Sequence, residues 1–224
     1  MKQGFAAQAF FHVSPIIPWL LLVSLINAVS VGLVRAESLS FLVDTLEDTE
    51  DAEPGDGVCA DASGACSLRA ALTEAIPLEG ETTIRFGVEG TIALQDTLPL
   101  IEGSNDEDRL RIDGGGKIRI SGEGAVPILS VNTAVVTLQD LAFEQGRGYR
   151  AGALHLSGTI NLARVGFYTN VADTGGGAIT MGDSDTVVTL EDCVFEGNRS
   201  DRNGGAIFVD SGTLRIAASR FQGN

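Results

Sequence analysis

The second half of the chain repeats itself, and the period of that repeat restricts the fold more than any other feature. Leu138-Gln-Asp-Leu-Ala-Phe143, Leu162-Ala-Arg-Val-Gly-Phe167, Leu190-Glu-Asp-Cys-Val-Phe195 and Ile216-Ala-Ala-Ser-Arg-Phe221 each place an aliphatic residue five positions before a Phe. The Phe-to-Phe steps are 24, 28 and 26 residues. Three positions after each Phe stand Gly146, Asn170, Asn198 and Asn224. A small-residue signature follows: Ala151-Gly-Ala-Leu154, Gly176-Gly-Ala-Ile179 and Gly204-Gly-Ala-Ile207. Independent marks that keep step over three or four units are not a product of chance.

Helical repeats need two amphipathic helices in about 33 to 47 residues. Here each shorter unit holds glycines and β-branched runs such as Thr186-Val-Val-Thr-Leu190. Leucine-rich repeats share the length, but their leucine and asparagine spacing is missing. Three short strands and three turns fit the unit, so the expected fold is all-β: a right-handed parallel β-helix, with coils stacked at about 4.8 Å. Phe143, Phe167, Phe195 and Phe221 are then an internal aromatic ladder, with the aliphatic residues lining the core from a neighbouring wall. Asn170, Asn198 and Asn224 are expected to bond turn backbones of adjacent coils as an amide ladder. The Gly-Gly-Ala runs are expected to supply unusual backbone angles and little bulk. Recurrence from unit to unit makes these structural marks.

Less regular coils precede them. Thr83–Phe86, Gly90–Leu94, Leu98–Ile101, Arg109–Asp113 and Lys117–Ile120 alternate apolar with polar residues, which turns Leu110, Ile112, Ile118 and Ile120 inward. The β-helix is thus assigned to 81–224, roughly five or six coils at about 25 residues each. No Gly-Gly-Ala-Ile strand follows Phe221, so the helix is expected to be C-terminally incomplete, its open end covered by missing coils or by self-association.

No charged residue lies between Gly4 and Val34, and Val34-Arg35-Ala36 suits a cleavage site. Residues 1–36 read as a signal peptide cut after Ala36. The apolar stretch also has the length of an uncleaved anchor, about 20 residues, although Pro15, Pro18 and Asn27 weaken that reading. Either way the rest of the chain is exported. Cys59 and Cys66 bracket a short polar loop and suit a disulfide in an oxidising compartment. The rival, half a zinc site, lacks a nearby histidine, since His12 and His155 are distant. Cys193 sits in a strand-like run and reads as a buried thiol.

Residues 37–80 read as an N-terminal cap. Ser67 can N-cap a helix whose stripe is Leu68, Ala71, Leu72, Ala75 and Ile76, ended by Pro77. The helix is suited to plug the first coil. Its only basic group is Arg69. Residues 38–43 are expected to form a strand joining that coil. The segment 44–56 holds seven acidic residues and no basic one. It reads as a solvated loop. Calcium is conceivable there from the wealth of oxygen ligands, but the ligand spacing of an EF-hand is lacking. The net charge of −15 disfavours nucleic acid as a partner.

Pro54-Gly-Asp-Gly-Val-Cys59, Cys66-Ser-Leu-Arg-Ala-Ala-Leu72 and Thr83-Ile-Arg-Phe86 together resemble the N-terminal module named for its Cys-Ser-Leu-Arg-Glu-Ala motif. Ala70 stands in place of that Glu, and Glu74-Ala75-Ile76 where the family tends to have Glu-Ala-Asn. The Gly-Gly-Ala-Ile and Phe-x-x-Asn marks are similar to those of the chlamydial polymorphic outer-membrane proteins and other pectin-lyase-like β-helices. The resemblance covers about residues 38–224. It implies a secreted or outer-membrane β-helix of adhesin-like character; fold alone does not settle function.

Two functional readings remain. One is a non-catalytic adhesion or display protein with a surface or glycan ligand. The other is a polysaccharide lyase or hydrolase acting on acidic glycans. A lyase needs a carboxylate cluster for calcium and an Arg or Lys base, and a hydrolase needs two spaced carboxylates. Asp183, Asp185, Asp192, Asp201 and Asp210 fall in turns and wall positions, and none recurs as an acidic pair with a base. Arg199 and Arg202 suit a lyase or a solvated loop equally. The expectation is therefore a non-catalytic protein without cofactor. Asn198-Arg-Ser200 also matches the N-glycosylation pattern.

Overall fold

The computed structural model describes residues 38–103 and 109–224. The segment assigned to the signal peptide, with Ala36, lies outside the described residues. Among the described residues, apart from one helix, Leu68–Ala75, the regular elements are strands, and every pairing between them is parallel. None of the described helices is long and apolar enough to cross a membrane.

The strands form three walls. The longest wall contains Leu39–Val43 and Glu81–Phe86, then the beginnings of Arg109–Ser121, the middle of Leu129–Glu144, the end of Leu154–Ala163, and finally Val187–Glu191 and Thr213–Ala217. Glu81, Arg109, Val135, Thr159, Val187 and Thr213 occupy one register, so the chain makes five turns from Glu81 to Thr213. The fold is thus the expected parallel β-helix.

Column residues explain why these segments are strands. On the long wall Ile84, Ile112, Leu138, Leu162, Leu190 and Ile216 share one inward register position. On the second wall the column runs Ile92, Ile120, Phe143, Phe167, Phe195, Phe221. On the third it runs Ile101, Val131, Leu156, Met181, Val209. Alternation delivers one side chain in two to the interior. Phe167 and Phe195 stack with centroids 4.6 Å apart, as do Phe195 and Phe221, and the Phe143–Phe167 distance is 5.5 Å. Aromatic pairs of this kind add about 0.5–1.5 kcal/mol beyond burial. Phe221 retains 44% exposure.

Asn170 and Asn198 are buried at the corner after the second wall. The Asn170 side chain donates to Asn198 Oδ1 (2.9 Å) and to the Phe143 carbonyl (3.1 Å), and its Oδ1 accepts from the Gly146 N–H (2.9 Å). Asn198 repeats the pattern, donating to Asn224 Oδ1 and the Phe167 carbonyl. Both amides are thereby saturated, as burial demands. Asn198 is 1% exposed, so the N-glycosylation pattern of Asn198-Arg-Ser200 is closed to modification in the folded chain.

Two details differ from expectation. The Gly-Gly-Ala glycines Gly176, Gly177, Gly204 and Gly205 do not adopt left-handed backbone angles. They are small because coils touch there: a Cβ on Gly177 would sit 2.0 Å from the Gly205 carbonyl oxygen. Left-handed backbone appears instead at two corners in each of the last four coils. Asp140, Arg164, Asp192 and Ala218 have φ of 53°, 55°, 53° and 48° between the first and second walls. Gln145, Thr169, Gly197 and Gly223 have φ of 53°, 51°, 64° and 61° just before the asparagine corner. Such single residues cost about 1–2 kcal/mol unless glycine or an Asx residue occupies them. They turn the chain within one residue.

Candidate functional site

At the N-terminal end the helix Leu68–Ala75 packs its apolar stripe into the core, and Ser67 caps it by accepting from the Ala70 N–H at 3.0 Å. The strand Leu39–Val43 joins Glu81–Phe86. Cys59 and Cys66 form a disulfide, and Cys193 is a buried free thiol. Burial, against backbone hydrogen bonds, raises the Cys193 pKa above its ordinary value, which keeps it protonated and unreactive.

The acidic segment is not simply solvated. Asp48 and Asp51 are both less than a tenth exposed. Asp48 takes Arg69 through two oxygens at 2.8 and 2.9 Å and also accepts from the Gln95 N–H. Arg69 in turn donates to the carbonyls of Thr97 and Asp96. Burial works against the Arg69 charge, but the Asp48 hydrogen bonds and charge hold its pKa above the ordinary value. The only basic group of the helix thus ties helix, acidic loop and first coil together. Asp51, Asp56 and Glu74 bring carboxylate oxygens within 4.8 Å of one another. Glu74 accepts from the N–H groups of Gly55 and Gly57, and Asp51 from those of Glu53 and Ala60. The backbone amides already balance these charges.

The residues weighed for catalysis do not converge. Asp183 and Asp185 lie between the third and first walls, where Ser157 donates to Asp183. Asp201 pairs with Arg199 at 3.0 Å on a separate ridge, the three-stranded sheet of Arg147–Gly148, Val171–Ala172 and Arg199–Ser200. Asp192 lies on a third corner. His155 has a buried Nε2 without a hydrogen-bond partner, and burial followed by Arg150 lowers its pKa.

A trough on the outside of the second wall brings together more chemistry than any of these. Its floor is the outward column Ala142, Gly166, Val194, flanked in register by Arg119 at one end and Arg220 at the other. One bank is the left-handed corner Asp140, Arg164, Asp192. Arg164 grips Asp140 through Nε and Nη2 at 2.6 and 2.7 Å. That hydrogen bond, opposed by slight burial, lowers the Asp140 pKa, and its counterpart raises that of Arg164. The other bank is Tyr168, whose ring lies across Gly166 and carries the Arg119 guanidinium 5.3 Å from its centroid. A Cβ on Gly166 would sit 2.4 Å from Tyr168 Cε2, so the glycine seats the ring. The trough has a volume of about 380 Å³.

Of these trough residues the sequence singles out only Asp192, and it does not bring it together with the others. The signal was the charge order Asp140, Arg164, Asp192 at the same 24- and 28-residue steps as the Phe marks. No curated protein matches the chain. The repeat of the Chlamydia polymorphic membrane protein (Chlamydia_PMP) family matches residues 192–210, which run from the trough's Asp192 through the Asn198 corner to the third wall.

Proposed function

We propose that the chain is an exported bacterial surface or outer-membrane β-helix with a non-catalytic role in adhesion or display of a glycan-binding face. The single observation that carries this reading is how the repeat marks are used. Phe167, Asn170, Phe195 and Asn198 face their counterparts in the next coil, so repetition builds a stiff rod with variable outer walls. The stretch matching the polymorphic membrane protein repeat contains two of those marks, Phe195 and Asn198. Outer-wall charges support the same reading: Arg164–Asp140, Arg119–Glu144 and Arg220–Glu196 pair across coils.

The finer assignments belong to the same proposal. Residues 1–36 are a signal peptide cleaved after Ala36, and residues 37–80 are a CSLREA-type cap on a pectin-lyase-like β-helix. Antibody labelling of intact source cells tests the placement: labelling without permeabilisation is expected, and labelling only after lysis overturns it. Incubation with polygalacturonate and calcium tests the non-catalytic part. No rise in unsaturated-product absorbance is expected, and a rise that scales with protein overturns it.

A further inference from the structure

We propose that the trough between the Asp140–Arg164–Asp192 corner and Tyr168 is a binding cleft for a short stretch of neutral oligosaccharide, a proposal that rests on the glycan-adhesion reading. Four coils contribute to it: Arg119 from one, Asp140 and Ala142 from the next, Arg164, Gly166 and Tyr168 from the third, and Asp192 and Val194 from the fourth. Three coil spacings give a length of about 14 Å. The small residues Ala142 and Gly166 make the concavity, because at the same register position Arg119 and Arg220 project from the wall.

The charge arrangement selects a polyol over an ion. Arg164 is held by Asp140, Arg119 by Glu144 and Lys117 by Glu89. An anionic ligand would have to compete with those carboxylates for the guanidiniums. A hydroxyl needs only what the pairs leave over. Arg164 spends two of its five N–H groups on Asp140, and each Asp140 oxygen keeps a lone pair. The Asp192 carboxylate accepts no hydrogen bond from the described residues and lies close enough to Arg164 to favour its charged form. A vicinal diol fits this row, donating to Asp192 and accepting from Arg164. Tyr168 closes the opposite bank as a fixed wall, since Gly166 beneath it and Arg119 beside it set the ring position. Groups oriented before binding lose little entropy on binding.

The corner backbone allows gentle variants. Asn tolerates the left-handed conformation of residues 164 and 192, so Arg164→Asn removes the guanidinium and Asp192→Asn the carboxylate charge, and both keep the turn. Gly166→Ala meets the outer end of Tyr168 first and swings the ring away. Affinity electrophoresis in native gels cast with arabinoxylan, galactomannan, mixed-linkage β-glucan or polygalacturonate tests the proposal, with melting curves as a fold control. The expected result is retardation of the full chain by at least one neutral polysaccharide, weakened tenfold or more in each variant at an unchanged melting temperature. Equal retardation of the chain and all three variants overturns the cleft, because the glycan then binds elsewhere, and leaves the adhesion reading standing. Retardation by polygalacturonate alone overturns it in favour of an anionic ligand. Retardation by none of the four overturns the cleft as well, whereas the surface reading fails only if intact cells are not labelled.

Discussion

Asn170 and Asn198, 28 residues apart in the chain, share a side-chain hydrogen bond of 2.9 Å inside the protein. Asn198 Oδ1 also accepts from the Asn170 backbone N–H at 3.1 Å. One amide therefore satisfies two buried donors of the coil before it. Replacing Asn198 with Ala strands both, along with the Phe167 carbonyl, and buried orphans cost about 1–3 kcal/mol each. Asn198→Ala is expected to lower unfolding free energy in urea by about 3 kcal/mol or more. Asn198→Asp is expected to be no better, since a carboxylate cannot donate to the Phe167 carbonyl. A loss below about 1 kcal/mol would show that water replaces the amide.

Arg69 is the corresponding residue at the cap. Its guanidinium serves Asp48 twice and two carbonyls of the first coil. Removing one partner of a buried pair costs about 3–5 kcal/mol. Arg69→Ala is expected to fall in that range by denaturant melts. Arg69→Lys is expected to lie between, because an ammonium cannot reproduce the fork. A lysine variant as stable as the original chain would mean that charge alone matters here.

Thr169 has φ 51° at an exposed corner where the next two coils carry Gly197 and Gly223. Thr169→Gly is expected to stabilise the protein by about 1 kcal/mol, because the left-handed conformation no longer opposes a β-branched side chain. Thermal melts compare the two directly. A fall in melting temperature would show that glycine's added freedom in the unfolded chain outweighs the relieved strain.

Acid sensitivity is expected from the disulfide loop. Asp61 accepts from the Ser63 and Thr49 hydroxyls and from the Ala65 and Ser63 N–H groups, and these hold its pKa down to about 2. A depressed carboxyl pKa contributes stability above its ordinary value, near 3.8, and loses it as pH falls through about 2. The stability gap between the original chain and Asp61→Asn is therefore expected to be constant at neutral pH and to narrow from about pH 4 down through about pH 2. A gap as wide at pH 2 as at pH 7 would remove Asp61 titration as its cause.

The coil architecture was legible because each coil presents the same few residues to the next. Phe167, Phe195 and the asparagines carry that demand in the local sequence, and Ser67 and Pro77 bound the helix in the same way. The cap interior was not legible. Asp48, Arg69 and Thr97 meet through a long chain excursion, and nothing local distinguishes Asp48 from the exposed Glu50 two residues later. Left-handed corners at Arg164 and Ala218 carry no residue signal either, since neither side chain prefers that conformation. The glycine signature suggests both unusual angles and small bulk; only close approach requires it, and both causes select the same residue. The trough arises from side chains on four coils, so its pattern exists only once the register is known.

In-register stacking of the coils is the central claim, and side-chain amide hydrogen exchange tests it most directly. By nitrogen-resolved NMR, the Asn170 and Asn198 side-chain amides, which donate to the Phe143 and Phe167 carbonyls, are expected to exchange as slowly as core backbone amides. Exchange as fast as that of the exposed Asn132 side chain would contradict the stacked ladder and the register built on it.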